Sequence, residues 1–169
     1  MQIFQQRLRE WVGETKRVLM LDVHSGLGPW GKLQLMETRQ SSNDQRRRLL
    51  THFAEFSDAF DLERPLHYQT RGDFGSWCAD QLTSVDFQYF CAEFGTYGPL
   101  RTLSALRSEL QEWEWGGSQP DIDSSVRRRV REVFCPESSQ WRKMVSAQTQ
   151  SMLKCAFDYL RDSGEPTAQ

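Results

Sequence analysis

Two side chains in this sequence have the types and settings to do chemistry together. His24 follows the apolar run Arg17-Val-Leu-Met-Leu-Asp-Val23, and Glu93 lies within Phe87-Gln-Tyr-Phe-Cys-Ala-Glu-Phe94. An imidazole binds divalent metals or moves protons near neutral pH. A positioned carboxylate serves as a general base. A histidine and a glutamate at the ends of apolar strands make half of a metal-assisted hydrolytic site. Burying an ionised carboxylate without a partner is expensive. Glu93 must therefore meet hydrogen-bond donors, a metal-bound water, or an arginine such as Arg71 or Arg101, the last being a purely structural ion pair. His24 has its own bland alternative, a solvated strand end. Asp22 projects on the same side of its strand as His24, so it can orient the ring as an acceptor or form a strand-end salt bridge.

Position comes from the elements around these residues. Ile3, Phe4, Leu8, Trp11 and Val12 fall on one helical face ended by Gly13. The strand at 17–24 is apolar on both faces, the pattern of a buried parallel strand. A glycine-rich loop follows, with Gly26, Gly28, Pro29 and Gly31, and then a second strand over 33–38. Ser41-Ser-Asn-Asp44 reads as an N-cap cluster opening a helix. Residues 57–75 read as loop, 76–82 as a short helix and 87–94 as the third strand. Leu100, Leu103, Leu106 and Leu110 mark the apolar stripe of the next helix. Ser124 or Ser125 caps a helix carrying Val126, Val130, Val133 and Phe134, which Pro136 stops, and 141–160 is a last amphipathic helix. Strands alternating with helices predict an α/β fold, a partial mixed or parallel sheet flanked by helices. One domain over 1–163 with a frayed tail over 164–169 is expected. Three strands are few for such a sheet, so the sequence reads as part of one.

Composition bounds the partners. A net charge of −2 and a pI near 5.9 give no basis for nucleic acid or an anionic membrane as partner. The arginine clusters 46–48 and 127–131 sit on helices whose apolar faces lie elsewhere, and read as solvated surface. No apolar run reaches membrane-spanning length, and no leader pattern opens the chain, so a cytoplasmic location is expected. Cys78, Cys91, Cys135 and Cys155 form no CxxC pair and read as reduced thiols, with Cys91 and Cys155 as small core residues. The 26–31 loop lacks the Gly-Lys-Ser/Thr ending of a phosphate loop.

Three phrases carry a family resemblance: Asp22-Val-His-Ser-Gly-Leu-Gly-Pro-Trp-Gly31, Arg71-Gly-Asp-Phe-Gly-Ser-Trp77 and Ala92-Glu-Phe-Gly-Thr-Tyr-Gly-Pro-Leu-Arg101. Together they resemble the C-terminal half of a zinc carboxypeptidase of the carboxypeptidase A type, in particular an uncharacterised, mostly bacterial branch of that superfamily. The resemblance covers roughly residues 17–110 and implies roles. His24 would be the third zinc ligand, Glu93 the base acting on zinc-bound water, and Tyr68 the loop tyrosine closing over substrate. Asp22 and Ser25 would support the ligand, and Arg71 would be an anion contact. Zinc would be the cofactor, and a peptide or acyl-amino acid amide the substrate. The family's other two ligands come from an earlier His-x-x-Glu, which this sequence lacks. His52-Phe-Ala-Glu55 has the spacing but follows His24 and lies in a helix. The resemblance therefore implies a chain that lacks the N-terminal half of the fold, holds zinc weakly or not at all, and is inactive alone. It also implies completion by a separate N-terminal segment. The rival expectation is a silent remnant or interaction module that self-associates through an open sheet edge.

Overall fold

A computed structural model describes residues 2–36, 43–59, 73–116 and 124–162. Helix α1 (Gln2–Val12) leads through Gly13, at φ +56°, into strand β1 (Arg17–Gly26), and the glycine loop returns the chain to the short β2 (Leu33–Met36). Helix α2 (Asn43–His52) and a 3-10 turn (Ala54–Ala59) follow, then α3 (Phe74–Gln81) and β3 (Asp86–Gly95). Three helices complete the described chain: α4 (Pro99–Trp115), α5 (Ser125–Phe134) and α6 (Ser139–Arg161).

The strands form one sheet in the order β1-β3-β2. The starts of β1 and β3 are joined by the Asp86 N–H donating to the Lys16 carbonyl at 2.9 Å, and their ends by Thr96 Oγ1, 3.1 Å from the Gly26 carbonyl. Start beside start and end beside end makes this pair parallel. β3 and β2 instead exchange bonds at one point, Gly95 N–H to Lys32 and Gly31 N–H to Gly95, at 2.9 and 2.8 Å. Reciprocal exchange is the antiparallel pattern. The result is a mixed sheet flanked by helices, as the alternation of strands and helices leads one to expect.

The chain divides into two compact units, one of residues 1–22, 35–91 and 150–169, the other of 23–34 and 92–149. In the first, Leu8, Cys78 and Leu82 form a buried cluster with Phe4, Val12, Met20, Phe74, Trp77, Val85 and Phe87 packed on it. The Asp73 side chain caps α3, accepting from the Ser76 N–H and hydroxyl, both at 2.8 Å. That cap starts the helix earlier than the 76–82 expected. In the second unit Ala92, Phe94, Val133 and Trp141 are buried, and the Ser124 hydroxyl caps α5 by accepting from the Arg127 N–H.

One expectation from periodicity is corrected. β1 is not buried on both faces. It is an edge strand of the described sheet, half-exposed along 17–22 and open at Val23 and His24, while the enclosed central place goes to β3. The apolar stripe that the sequence marks on α4 lies on its exposed side. Leu100, Leu103, Leu106 and Leu110 are exposed, and Ala105 is the buried residue of that helix. Periodicity reveals that a helix has an apolar face; it does not reveal whether the same chain covers it.

Candidate functional site

Strand β1 delivers His24 and Ser25 to the start of the glycine loop, and β3 delivers Glu93 beside them. The carboxylate of Glu93 and a ring nitrogen of His24 lie within 4.8 Å of each other. The histidine is exposed, whereas Glu93 is only 6% exposed. Here the second unit contains one water-facing imidazole and one buried acid at adjacent strand ends.

The partner that repays Glu93 for leaving water is a backbone donor. The Leu27 N–H donates to Glu93 Oε1 at 2.8 Å. This answers the alternatives left open by the sequence: Arg101 is not in this bond, because its guanidinium carbon lies over the Tyr97 ring, 3.6 Å from the centroid. Arg71 lies outside the described residues, as does Tyr68, so the proposed anion contact and loop tyrosine have no described position.

The loop reaches Glu93 because its glycines allow it. Gly28 and Gly31 take φ of +102° and +69°, left-handed backbone that side chains rarely adopt. Opposite them, a Cβ on Gly95 would come 2.0 Å from the Pro29 carbonyl oxygen, so only glycine admits the approach. Gln148 on α6 then clamps the loop. Its amide donates to the Gly31 carbonyl at 2.6 Å, and its oxygen accepts from the Leu33 N–H at 3.0 Å. The Trp141 indole donates to the Gly95 carbonyl at 2.9 Å.

Supporting residues extend this frame. The Ser25 hydroxyl donates to the Phe134 carbonyl at 2.6 Å, tying the strand end to the end of α5. The Thr96 hydroxyl has one proton and two carbonyls in reach, Val133 at 2.7 Å and Gly26 at 3.1 Å. Asp22 accepts from the Tyr89 hydroxyl at 2.8 Å. Burial first, and that carboxylate second, push the Tyr89 phenol above its ordinary range. Beyond the strand, the Tyr97 hydroxyl donates to Glu132 Oε1 at 2.5 Å, and the Glu137 N–H donates to Oε2 at 2.9 Å. These bonds hold the Glu132 carboxyl below the usual range, and the bond to Glu132 raises Tyr97.

For a metal, the donors available are the His24 nitrogen and the Glu93 carboxylate, with the Cys91 sulfur on the same face of β3 two residues before Glu93. Nitrogen, oxygen and thiolate sulfur are the donor types zinc takes. The sequence reads Cys91 as a small core residue, whereas it is half-buried; strand alternation is the signal that sets it on the Glu93 face of β3. His52 and Glu55 are engaged elsewhere in the first unit, with Asp162 at 2.9 Å and the Cys155 thiol at 3.1 Å. The pattern described as a protein of unknown function, DUF2817, matches residues 1–148.

The chain belongs to DUF2817. The DUF2817 match takes in β1, the glycine loop and β3, hence every residue of the His24–Glu93 site. No curated protein and no solved structure matches the chain. Among the described residues no helix is long and apolar enough to cross a membrane.

Proposed function

We propose that this DUF2817 chain carries one half of a zinc-carboxypeptidase-like amide hydrolase site, with a peptide or acyl-amino acid as substrate. The observation that carries the reading is a buried carboxylate within 4.8 Å of an exposed imidazole at two strand ends. His24 would hold the metal and Glu93 would act as the base. When bound, zinc lowers the pKa of its water to about 7 and polarises the scissile carbonyl. The Leu27 N–H fixes one oxygen of Glu93, leaving the other to accept a proton from the attacking water and return it to the leaving amine. Ser25 and Thr96 hold the strand ends so that this separation is kept. With Glu93 reserved as base, His24 and Cys91 do not amount to the three protein ligands of a catalytic zinc. Zinc binding by this chain is therefore weak, and hydrolysis requires a His-x-x-Glu segment supplied from elsewhere.

Titration of the purified chain with zinc by calorimetry, alongside His24→Ala, tests the ligand. Weak uptake abolished by the substitution is expected, and equal uptake by both proteins refutes the assignment. Adding a His-x-x-Glu-bearing segment from a longer family member should tighten zinc binding and produce amidase activity. Activity that persists in Glu93→Gln would remove the base from the scheme.

A second reading is favoured by the position of β1. As an edge strand of the described sheet with Val23 exposed, it is where another chain would add a strand. Under that reading the protein is a silent interaction module.

A further inference from the structure

Cys91 takes no part in the hydrolytic reading, yet it belongs to one group of donors with His24 and Glu93. Strand β3 fixes the sulfur relative to the acid. It runs unbroken from Asp86 to Gly95, and residues two apart on a strand project from one face. The Cys91 thiol and the Glu93 carboxylate therefore point the same way, with ligand atoms within 4.8 Å of each other, and the His24 ring nitrogen lies within that distance of Glu93. His24 is exposed and Cys91 half-buried, so a cation can reach the group from solvent. The Leu27 N–H takes Oε1 of Glu93 at 2.8 Å and leaves Oε2 for a metal. Donors around a tetrahedral zinc stand roughly 3.3–3.8 Å apart, given bonds of about 2.0–2.3 Å. Closing from 4.8 Å takes about 1 Å of movement, which a small rotation of the exposed imidazole supplies.

We infer that the metal this chain takes up by itself is held by Cys91 together with His24 and Glu93, in a sulfur–nitrogen–oxygen site. The inference shares His24 with the hydrolase reading and rests on it to that extent. On binding, the thiol releases its proton to water, and the sulfur, the imidazole nitrogen and a carboxylate oxygen each replace a water on the cation. Glu93 then has two uses that exclude each other. As a ligand, its lone pair is committed to the metal and cannot accept a proton. Only when a His-x-x-Glu segment brings other donors is the carboxylate released to act as base. The chain alone is thus a metal-holding, hydrolytically silent form. A thiolate in the donor set selects zinc over magnesium and manganese, which prefer oxygen.

Cobalt, which unlike d10 zinc absorbs light, reads the sulfur directly. The full chain carrying Cys135→Ser, which removes the exposed thiol, is titrated with cobalt without oxygen. About one equivalent should bind, with a thiolate-to-cobalt charge-transfer band in the near ultraviolet. Zinc should displace the cobalt, and magnesium and manganese should not. Cys91→Ser, close in size to the parent, should abolish the band and weaken binding roughly tenfold or more, the loss that removing even a group behind a ligand brings. His24→Ala and Glu93→Gln should weaken binding to a similar degree and keep the band at saturating cobalt. Urea unfolding of metal-free Cys91→Ser shows whether that variant folds, and the band of the parent tests the sulfur without it. Cobalt bound without the band overturns the inference; if His24→Ala still abolishes that uptake, the hydrolase reading stands. A band indifferent to both His24→Ala and Glu93→Gln overturns the three-donor site and removes His24 as a ligand as well. No cobalt uptake overturns the site in this chain, whereas amidase activity on adding a His-x-x-Glu segment would still uphold the hydrolase reading.

Discussion

The backbone N–H of Leu27 donates to the side chain of Glu93 across 2.8 Å, so a residue with no functional side chain stabilises the buried acid of the site. Substitutions at Glu93 should separate hydrogen bonding from charge. Glu93→Gln keeps an acceptor for Leu27 and should unfold in urea within about 1 kcal/mol of the parent. Glu93→Ala leaves a donor without its partner and should cost about 2–3 kcal/mol. Equal stability of the two variants would show that the bond contributes nothing.

Gly95 is the narrowest point of the loop's path. A methyl there would meet the Pro29 carbonyl at 2.0 Å, with the Pro29 carbonyl carbon and Gly28 backbone also under 3 Å. These are backbone atoms that cannot rotate away. Gly95→Ala should cost about 3 kcal/mol, read as a lowered urea midpoint. Gly98→Ala is the control, since a Cβ at Gly98 meets nothing within 4 Å.

Acid should loosen the bond between Tyr97 and Glu132. The folded state holds the Glu132 carboxyl below its ordinary value, so its stabilisation is present above the usual carboxylate range, near pH 4.3. It is lost as pH falls through the lower folded value. The stability gap between the parent and Glu132→Gln should be open at pH 7 and close toward pH 3, measured by urea denaturation at each pH. A gap independent of pH would disconnect that carboxylate from acid stability.

Thiol reactivity should follow burial. Burial pushes the Cys78 thiol up to about 11 and Cys155 to about 12, the latter helped by its bond to Glu55. Only thiolates react. Cys135, exposed at the end of α5, should be labelled first by a disulfide reagent at pH 8. Cys78 and Cys155 should wait for unfolding. Rapid labelling of either would contradict the packing of the first unit.

The same contrast shows what the sequence could convey. It was enough to place His24 and Glu93 at the ends of two apolar strands, because strand periodicity and glycine loops are local signals. It also sufficed for the capped helix after Ser124 and for a sheet flanked by helices. The pairing of Leu27 with Glu93, and the clamp of Gln148 and Trp141 on the glycine loop, join residues 46 to 117 positions apart. No local pattern encodes which distant donor will arrive. The leucine row of α4 makes the same point from the other side. Its spacing declared an apolar face from sequence alone, yet only the tertiary arrangement decided that Ala105 is buried and the leucines are exposed. Periodicity is a property of one helix, whereas burial depends on which other surfaces the fold brings to it.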